Sequence, residues 1–262
     1  MMAAAMNSTR AQSNGKPVSV LMLGTGDAFA SGGRSHSAYL IESGATRVLM
    51  EAGPDVVGSL KRERIAPETI DLVLISHLHG DHFAGLAFLV LEYAFESRRR
   101  TSLTIAGPRN LESRTRAVVR AMYPGFLWDR VESKLKWAIL EPQCGTRLRG
   151  VKVDAIRSPH TAPDVSLSLR VRVAGKTIVF SGDTAWNEEL VAFCAGADLF
   201  LTECSLFDRE RGFKHMRYTE LAARRHDFNV QRMVLTHLGS KVLEHQGDVA
   251  LEMAYDGMRI EL

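Results

Sequence analysis

Ser76-His77-Leu78-His79-Gly80-Asp81-His82 is the stretch from which the rest of the chain is read. It follows an apolar run, Leu72-Val73-Leu74-Ile75, with the length and branching of a buried strand. It precedes a longer run, Phe83-Ala84-Gly85-Leu86-Ala87-Phe88-Leu89-Val90-Leu91, that begins a helix. Three imidazoles and a carboxylate crowded into one strand-to-helix turn are poorly explained by packing, because each needs solvent or a hydrogen-bond partner there. Imidazole nitrogen and carboxylate oxygen are the donors that borderline-soft divalent ions such as zinc accept, and a turn aims alternate side chains at neighbouring points. The residues of this turn read as metal ligands.

The chain around it has 262 residues, enough for one large α/β domain with a substantial core. A single domain is expected over residues 17–262, preceded by an Ala/Ser/Asn-rich disordered tail over residues 1–16. Lys and Arg outnumber Asp and Glu by 33 to 30, so any attraction to a phosphate must come from local placement and not from net charge. Cys144, Cys194 and Cys204 are odd in number, widely spaced and free of Cys-x-x-Cys. That argues against a disulfide framework and for a reducing compartment, with the cytoplasm as the expected location. No apolar run approaches the length of a membrane span, and no membrane partner is expected.

Strand and helix patterns alternate along the chain. Val18–Leu23 reads as an inner strand ending in Gly24-Thr25-Gly26-Asp27, a glycine turn that completes no nucleotide-binding fingerprint. Ala38–Glu42 and Arg47–Glu51 form a hairpin through Ser43-Gly44-Ala45, and Pro54 is placed as the first residue of a helix reaching about Glu63. After the histidine turn a helix is expected to run to about Phe95, followed by the basic run Arg98-Arg99-Arg100, read as surface charge near a helix C-terminus. Further strands are expected at Leu103–Ala106, Leu135–Leu140, Val151–Ile156, Leu167–Val173, Thr177–Phe180, Leu199–Thr202 and Met233–Thr236. Helices are expected at Arg109–Met122, Glu188–Cys194, near Thr219–His226 and from about Lys241. Composition and periodicity alone support only an α/β class.

His77-Leu78-His79-Gly80-Asp81-His82 resembles the His-x-His-x-Asp-His signature of the metallo-β-lactamase superfamily, and the resemblance extends from about Val18 to Leu262. Within it the chain is most similar to the ribonuclease Z-like branch and its small relatives, the phosphoribosyl cyclic phosphodiesterases. The resemblance implies a four-layer αβ/βα sandwich and a dinuclear site. His77, His79 and His160 would hold one ion, Asp81, His82 and His237 the other, and Asp183 would bridge both; Asp81 is also counted among the catalytic groups. Two divalent ions per chain are implied, zinc first and manganese second, along with homodimerisation. Two such ions about 3.5–4 Å apart lower the pKa of a shared water toward neutrality and draw charge from substrate oxygens. With Asp81 and Asp183 as the only anionic ligands, the site stays electropositive and favours an anionic substrate.

Glu203 and His215 match, in order and approximate spacing, a glutamate–histidine pair of ribonuclease Z-like enzymes whose histidine protonates the leaving oxygen. A carboxylate that orients an imidazole and raises its pKa keeps an acid available near neutral pH. Arg34, in the loop after the first strand, is a candidate for meeting a substrate phosphate. Between His160 and Asp183 stand 22 residues, patterned as a hairpin, where the tRNA-gripping arm of the branch is commonly inserted. A small or cyclic phosphodiester is therefore expected before precursor tRNA, with nucleic acid not favoured as a partner. The competing readings are a tRNA 3′-end endoribonuclease, a hydrolase of a lactone, thioester or β-lactam, and a metal-binding sensor or scaffold without turnover.

Overall fold

The inner strands are apolar on both faces, and a strand of that kind must be covered on both. In β1 (Val18–Gly24), Val20 and Met22 alternate with Leu21 and Leu23, and all four are buried. The computed structural model describes residues 17–96, 101–125, 127–161, 163–208 and 214–262. The expected tail and the run Arg98-Arg99-Arg100 lie outside the described residues.

Strands β1, β2 (Ala38–Ser43), β3 (Thr46–Met50), β4 (Leu72–Leu74), β5 (Leu103–Gly107) and β6 (Leu135–Ile139) belong to one sheet. Strands β7 (Thr146–Leu148), β8 (Val151–Ser158), β9 (Ser166–Val173), β10 (Lys176–Phe180), β11 (Ala197–Cys204) and β12 (Val230–Leu238) form a second, and β13 (Arg259–Glu261) returns to the first. The orders are β13-β1-β2-β3-β4-β5-β6 and β12-β11-β10-β9-β8-β7. Pairing is parallel from β3 to β6 and from β10 to β12.

Alternation sorts the side chains into three cores. Val20, Met22, Tyr39, Met50 and Leu74 meet Val153, Leu169, Ile178, Phe180 and Leu201 between the sheets. The opposite faces pack on helices. Leu21, Leu40, Val73 and Ile105 meet Leu60 of α1 (Val56–Arg62), Phe83 of α2 (Gly80–Phe83), Leu86 and Leu89 of α3 (Leu86–Phe95), Val119 of α4 (Leu111–Met122) and Trp128 of α5 (Leu127–Val131). Val179, Phe200 and Leu235 meet Leu190 of α6 (Glu188–Cys194), Leu221 of α7 (Tyr218–Ala223) and Val242 of α8 (Ser240–Glu244). The arrangement is the four-layer αβ/βα sandwich. Each fully buried Leu, Ile, Val or Phe contributes roughly 1.5–3 kcal/mol, enough over three cores to offset a cluster of desolvated polar groups held at the sandwich edge.

Several local expectations are corrected. The helix expected from the histidine turn to Phe95 is two helices, α2 and α3, because Gly85 crosses tightly under the Ala52–Gly53 segment. Its N–H donates to Ala52 O at 2.9 Å, and a Cβ there would stand 2.1 Å from the Gly53 carbonyl oxygen. Pro54 is not the first helical residue: α1 begins at Val56, and the Asp55 side chain is taken by His36, whose Nδ1 lies 2.5 Å from Asp55 Oδ2. Strand β13 went unforeseen because only Ile260 of its three residues is buried, too little alternation to register. Among the described residues no helix is long and apolar enough to cross a membrane.

Candidate active site

The candidate residues sit where the strands of both sheets end, the edge at which α/β sheets form ligand crevices. Strand β4 runs through Ile75 and Ser76 into His77, β8 into His160, and β10 into Asp183, while Glu203 and His237 are the penultimate residues of β11 and β12. The two sheet ends are tied together at this edge, since Leu167 N–H donates to Ser76 O at 3.0 Å. Gly182 turns there with φ +58°, and a Cβ on it would meet Leu167 O at 2.4 Å, so only glycine lets the chain swing Asp183 inward.

Two donor sets built around Asp183 result, His77, His79, His160 and Asp183, and Asp81, His82, Asp183 and His237, and a third group, Glu203, His215 and His237, adjoins them, each with its ligand atoms within 4.8 Å of one another. Asp183 is common to both and faces the ring nitrogens. Its Oδ1 lies 3.3 Å from His82 Nε2, and its Oδ2 lies 3.5 Å from His237 Nε2 and 3.8 Å from the Nε2 atoms of His77 and His160. Asp81 Oδ2 lies 3.1 Å from His82 Nε2 and 3.2 Å from His237 Nε2.

The outward nitrogens are fixed by partners. His82 Nδ1 is 3.2 Å from Glu51 Oε2, His77 Nδ1 is 3.0 Å from Ser76 Oγ, His160 Nδ1 is 2.9 Å from Lys214 O, and His237 Nδ1 is 2.7 Å from Ser205 Oγ. With a metal bound, a proton on Nδ1 of each ring would satisfy these contacts and leave every Nε2 with a lone pair aimed inward, the orientation of a metal-ligating imidazole. His79 is turned the other way, with Nδ1 inward, 3.2 Å from His160 Nε2.

The interior atoms lack partners. His77 Nε2, His82 Nε2 and Asp183 Oδ1 are buried with no hydrogen bond, three of the five such side-chain atoms among the described residues. Each orphan costs roughly 1–3 kcal/mol, so three in one cluster are a donor set awaiting an acceptor, and they fit a divalent ion. Charge follows the same pattern. Burial opposes ionisation of Asp183, but the imidazoles of His237 and His82 outweigh it and hold its carboxyl well below the usual range. Asp81 is likewise held far below that range by His82 and His237 despite burial. Burial drives His77 the other way, toward its neutral form.

Beside these sets, His215 Nδ1 lies 2.9 Å from Glu203 Oε1 and 3.8 Å from Asp183 Oδ2. Glu203 is fully buried and also accepts Thr184 N–H at 2.7 Å, Ser205 N–H at 3.2 Å and the Ser205 hydroxyl at 3.0 Å. Burial lowers the proton affinity of His215, yet the Glu203 carboxylate overcomes that and pushes its pKa up to about 9. Ser205 links this pair to His237, so one buried network orients both rings. A cavity of about 490 Å³ opens onto His79, His160, His215 and His237, with Phe29, Lys214 and Lys241 on its walls.

Arg34 does not join them. Its Nη1 donates to Thr25 Oγ1 at 2.7 Å and to Ala254 O at 2.8 Å, which pins the loop after β1 to the C-terminal segment; it is not on the cavity wall. The arginine read as a phosphate contact is a structural anchor, and its loop position gave no sign of the distant carbonyl. Arg34→Ala is expected to lower stability by about 2 kcal/mol in denaturant titration while leaving KM for a phosphodiester within about twofold. Glu51 was missed altogether. It is a fully buried carboxylate at the end of β3 with φ 62°, accepting Ser76 N–H at 2.8 Å as well as His82. No sequence signal separates it from an ordinary strand-end glutamate, because its partners lie on a different strand.

A protein-family model described as "Anti-Pycsar protein Apyc1" matches residues 18–255. The chain belongs to that family. A ribonuclease Z of Methanosarcina mazei is 22% identical, the match covering 88% of this chain and 90% of that protein. The crystal structure of the metallo-β-lactamase fold protein YhfI from Bacillus subtilis aligns with a TM-score of 0.74 at 21% identity, covering 93% of this chain and 99% of that one. Zn²⁺-bound PqqB from Methylobacterium extorquens aligns with a TM-score of 0.72 at 16% identity, covering 93% and 100%. Structural likeness at such identities establishes the fold, which is that of the metallo-β-lactamases, and the relatives place the chain among the metallo-hydrolases of that fold.

Proposed function

We propose that the chain is a dinuclear metal-dependent phosphodiesterase whose substrate is a small or cyclic phosphodiester. The observation that carries this reading is the Glu203–His215 pair, 2.9 Å apart, whose histidine opens on the cavity that His79, His160 and His237 of the donor sets also line. A hydrolase of lactones or thioesters has less need of a dedicated acid beside the metal donors, whereas a phosphodiester with a poor leaving group needs one.

In this reading His77, His79 and His160 hold one ion, Asp81, His82 and His237 the other, and Asp183 reaches both, with zinc the first choice for so many imidazoles and manganese the second. Bound there, divalent ions supply an acidified water and neutralise charge on phosphoryl oxygens. The chain's own residues do the rest. Glu51, Ser76 and Ser205 fix the tautomers of the His82, His77 and His237 rings from behind, and His215 delivers a proton to the departing oxygen. Glu203, held by three other donors, keeps the His215 ring in place and charged until it does so.

The size of the substrate follows from what surrounds the cavity. The segment between His160 and Asp183 is built around the β9–β10 hairpin, whose strands are paired into the sheet, and among its described residues no arm projects for a folded RNA. A cavity of about 490 Å³ suits a small anionic molecule.

The test is hydrolysis of bis(p-nitrophenyl) phosphate by protein reconstituted with zinc and, separately, with manganese, with chelated protein as control. Turnover that appears only with metal is the expected result. A fully loaded protein that is inert toward diesters but hydrolyses a lactone or thioester overturns the reading.

A further inference from the structure

The register of the second sheet lines up like charges. Arg147 of β7 stands directly opposite Lys152 of β8, and Lys152 directly opposite Arg172 of β9. The neighbouring row pairs Asp154 of β8 with Arg170 of β9. Val151, Val153 and Val171, at the alternate positions, are buried between the sheets, so these charged side chains stand on the outer face. Like charges directly opposite one another destabilise a sheet, and here three cations follow one another across three strands. Asp154 answers part of this charge: its Oδ2 accepts from Arg172 Nη1, and its Oδ1 is 3.9 Å from Lys152 Nζ. Arg147 Nη1 donates to Gly150 O at 3.4 Å and has no carboxylate partner among the described residues. The Arg170 guanidinium lies over the Phe193 ring of α6 at 4.3 Å, its buried Nε makes no hydrogen bond, and burial and then the Arg172 charge oppose its charged form. Past Arg172 the row reaches Thr177 of β10, and the Asp198 carboxylate beyond is taken by Lys176 at 3.1 Å.

We infer that the row Arg147, Lys152 and Arg172 is a binding surface for a linear chain of phosphates, separate from the cavity. The rest of β8, roughly 20 Å of strand, separates Lys152 from Ser158 at the site edge, and the inference does not depend on the phosphodiesterase reading. Neighbouring strands are roughly 4.8 Å apart, so the row offers a cation about every 5 Å. A nucleic-acid strand advances about 3.4 Å per phosphate, dense enough to meet each member of the row. An extended peptide repeats side chains on one face only every 6.6 Å or so, about two residues of rise, and matches the row less well. Guanidinium forks grip phosphate oxygens in pairs, and Arg147 and Arg172 flank the lysine. The exposed large apolar side chains among the described residues, Phe29, Phe95, Met122, Ile139 and Tyr255, all lie outside β7–β10. Those strands therefore offer neither an exposed ring to stack a base nor an apolar anchor for a bilayer. Recognition is by backbone charge, a property that inorganic polyphosphate and single-stranded nucleic acid share.

The test is the salt dependence of binding by the full chain to two labelled probes, inorganic polyphosphate and a short oligo(dT). For the oligonucleotide, three phosphate contacts predict a slope of log K against log salt of about −2. Arg147→Gln combined with Lys152→Gln should weaken both probes about tenfold at about 50 mM salt and bring the slope toward about −0.7, while bound zinc stays at the wild-type level. Because the substitutions remove like charges from one row, the melting temperature without a probe should equal or exceed that of wild type, which separates lost binding from lost fold. Tighter binding of polyphosphate identifies free phosphate chains as the ligand and tighter binding of oligo(dT) identifies a nucleic-acid backbone; either result supports the surface. No binding of either probe by wild type, an unchanged slope in the double variant, or poly-glutamate or phosphatidylserine vesicles bound as tightly as the phosphate chains overturns the inference.

Discussion

Asp183→Asn is expected to cost metal and turnover together: bound zinc after dialysis falls below that of wild type, and hydrolysis of an activated diester drops by at least about 10³-fold. Asp183 is the one carboxylate shared by both donor sets, with His82 Nε2 at 3.3 Å on one oxygen and four further ring nitrogens, that of His215 among them, at 3.5–3.8 Å on the other. An amide offers one weak acceptor where the carboxylate offers two charged ones, and it cannot neutralise two cations. Thermal stability gives a second readout. A ligand that binds only the folded state stabilises it by RT ln(1 + [L]/Kd), so adding zinc should raise the melting temperature of wild type and raise that of Asp183→Asn far less. Unchanged metal content and rate in the variant would remove Asp183 from the centre of the site.

His215→Ala should separate binding from chemistry. The ring belongs to neither of the two main donor sets, so bound zinc is expected to stay at the wild-type level. Turnover of an alkyl phosphodiester should fall by between about 10² and 10⁴-fold, the usual weight of a positioned general acid. The loss should shrink sharply for a p-nitrophenyl diester, whose leaving group departs without protonation. Glu203→Gln should show the same leaving-group dependence at smaller size, because the ring remains but loses the charge 2.9 Å away that keeps it protonated. An equal loss on both substrates would assign His215 to structure or to metal binding, and no loss on the alkyl diester would refute the acid role outright.

The fold and the site were legible in the sequence to different depths. His77, His79, Asp81 and His82 announce themselves because they lie in one turn, where local crowding of polar groups has no packing explanation. His160, Asp183, Glu203, His215 and His237 are each ordinary loop or strand-end residues on their own, and only the family resemblance groups them. Glu51 was invisible to both kinds of reading. It is a carboxylate at the end of an apolar strand, which does not depart from local expectation. Arg34 misled for the same reason: a loop arginine carries no sign of whether its guanidinium meets solvent, a phosphate or the Ala254 carbonyl 220 residues away.

Alternating apolar strands, glycine turns and the histidine signature by themselves determined that this chain is an α/β protein with metal donors at a strand end. These are short-range properties, set by side-chain period and by which groups tolerate burial. Only the tertiary structure decided that Asp183 faces the rings of both donor sets, that Glu51 and Ser205 orient the histidines, and that Arg34 pins the loop after β1 to the Ala254 carbonyl. Those relations join residues up to 220 positions apart, and such contacts depend on how two sheets meet rather than on any local pattern.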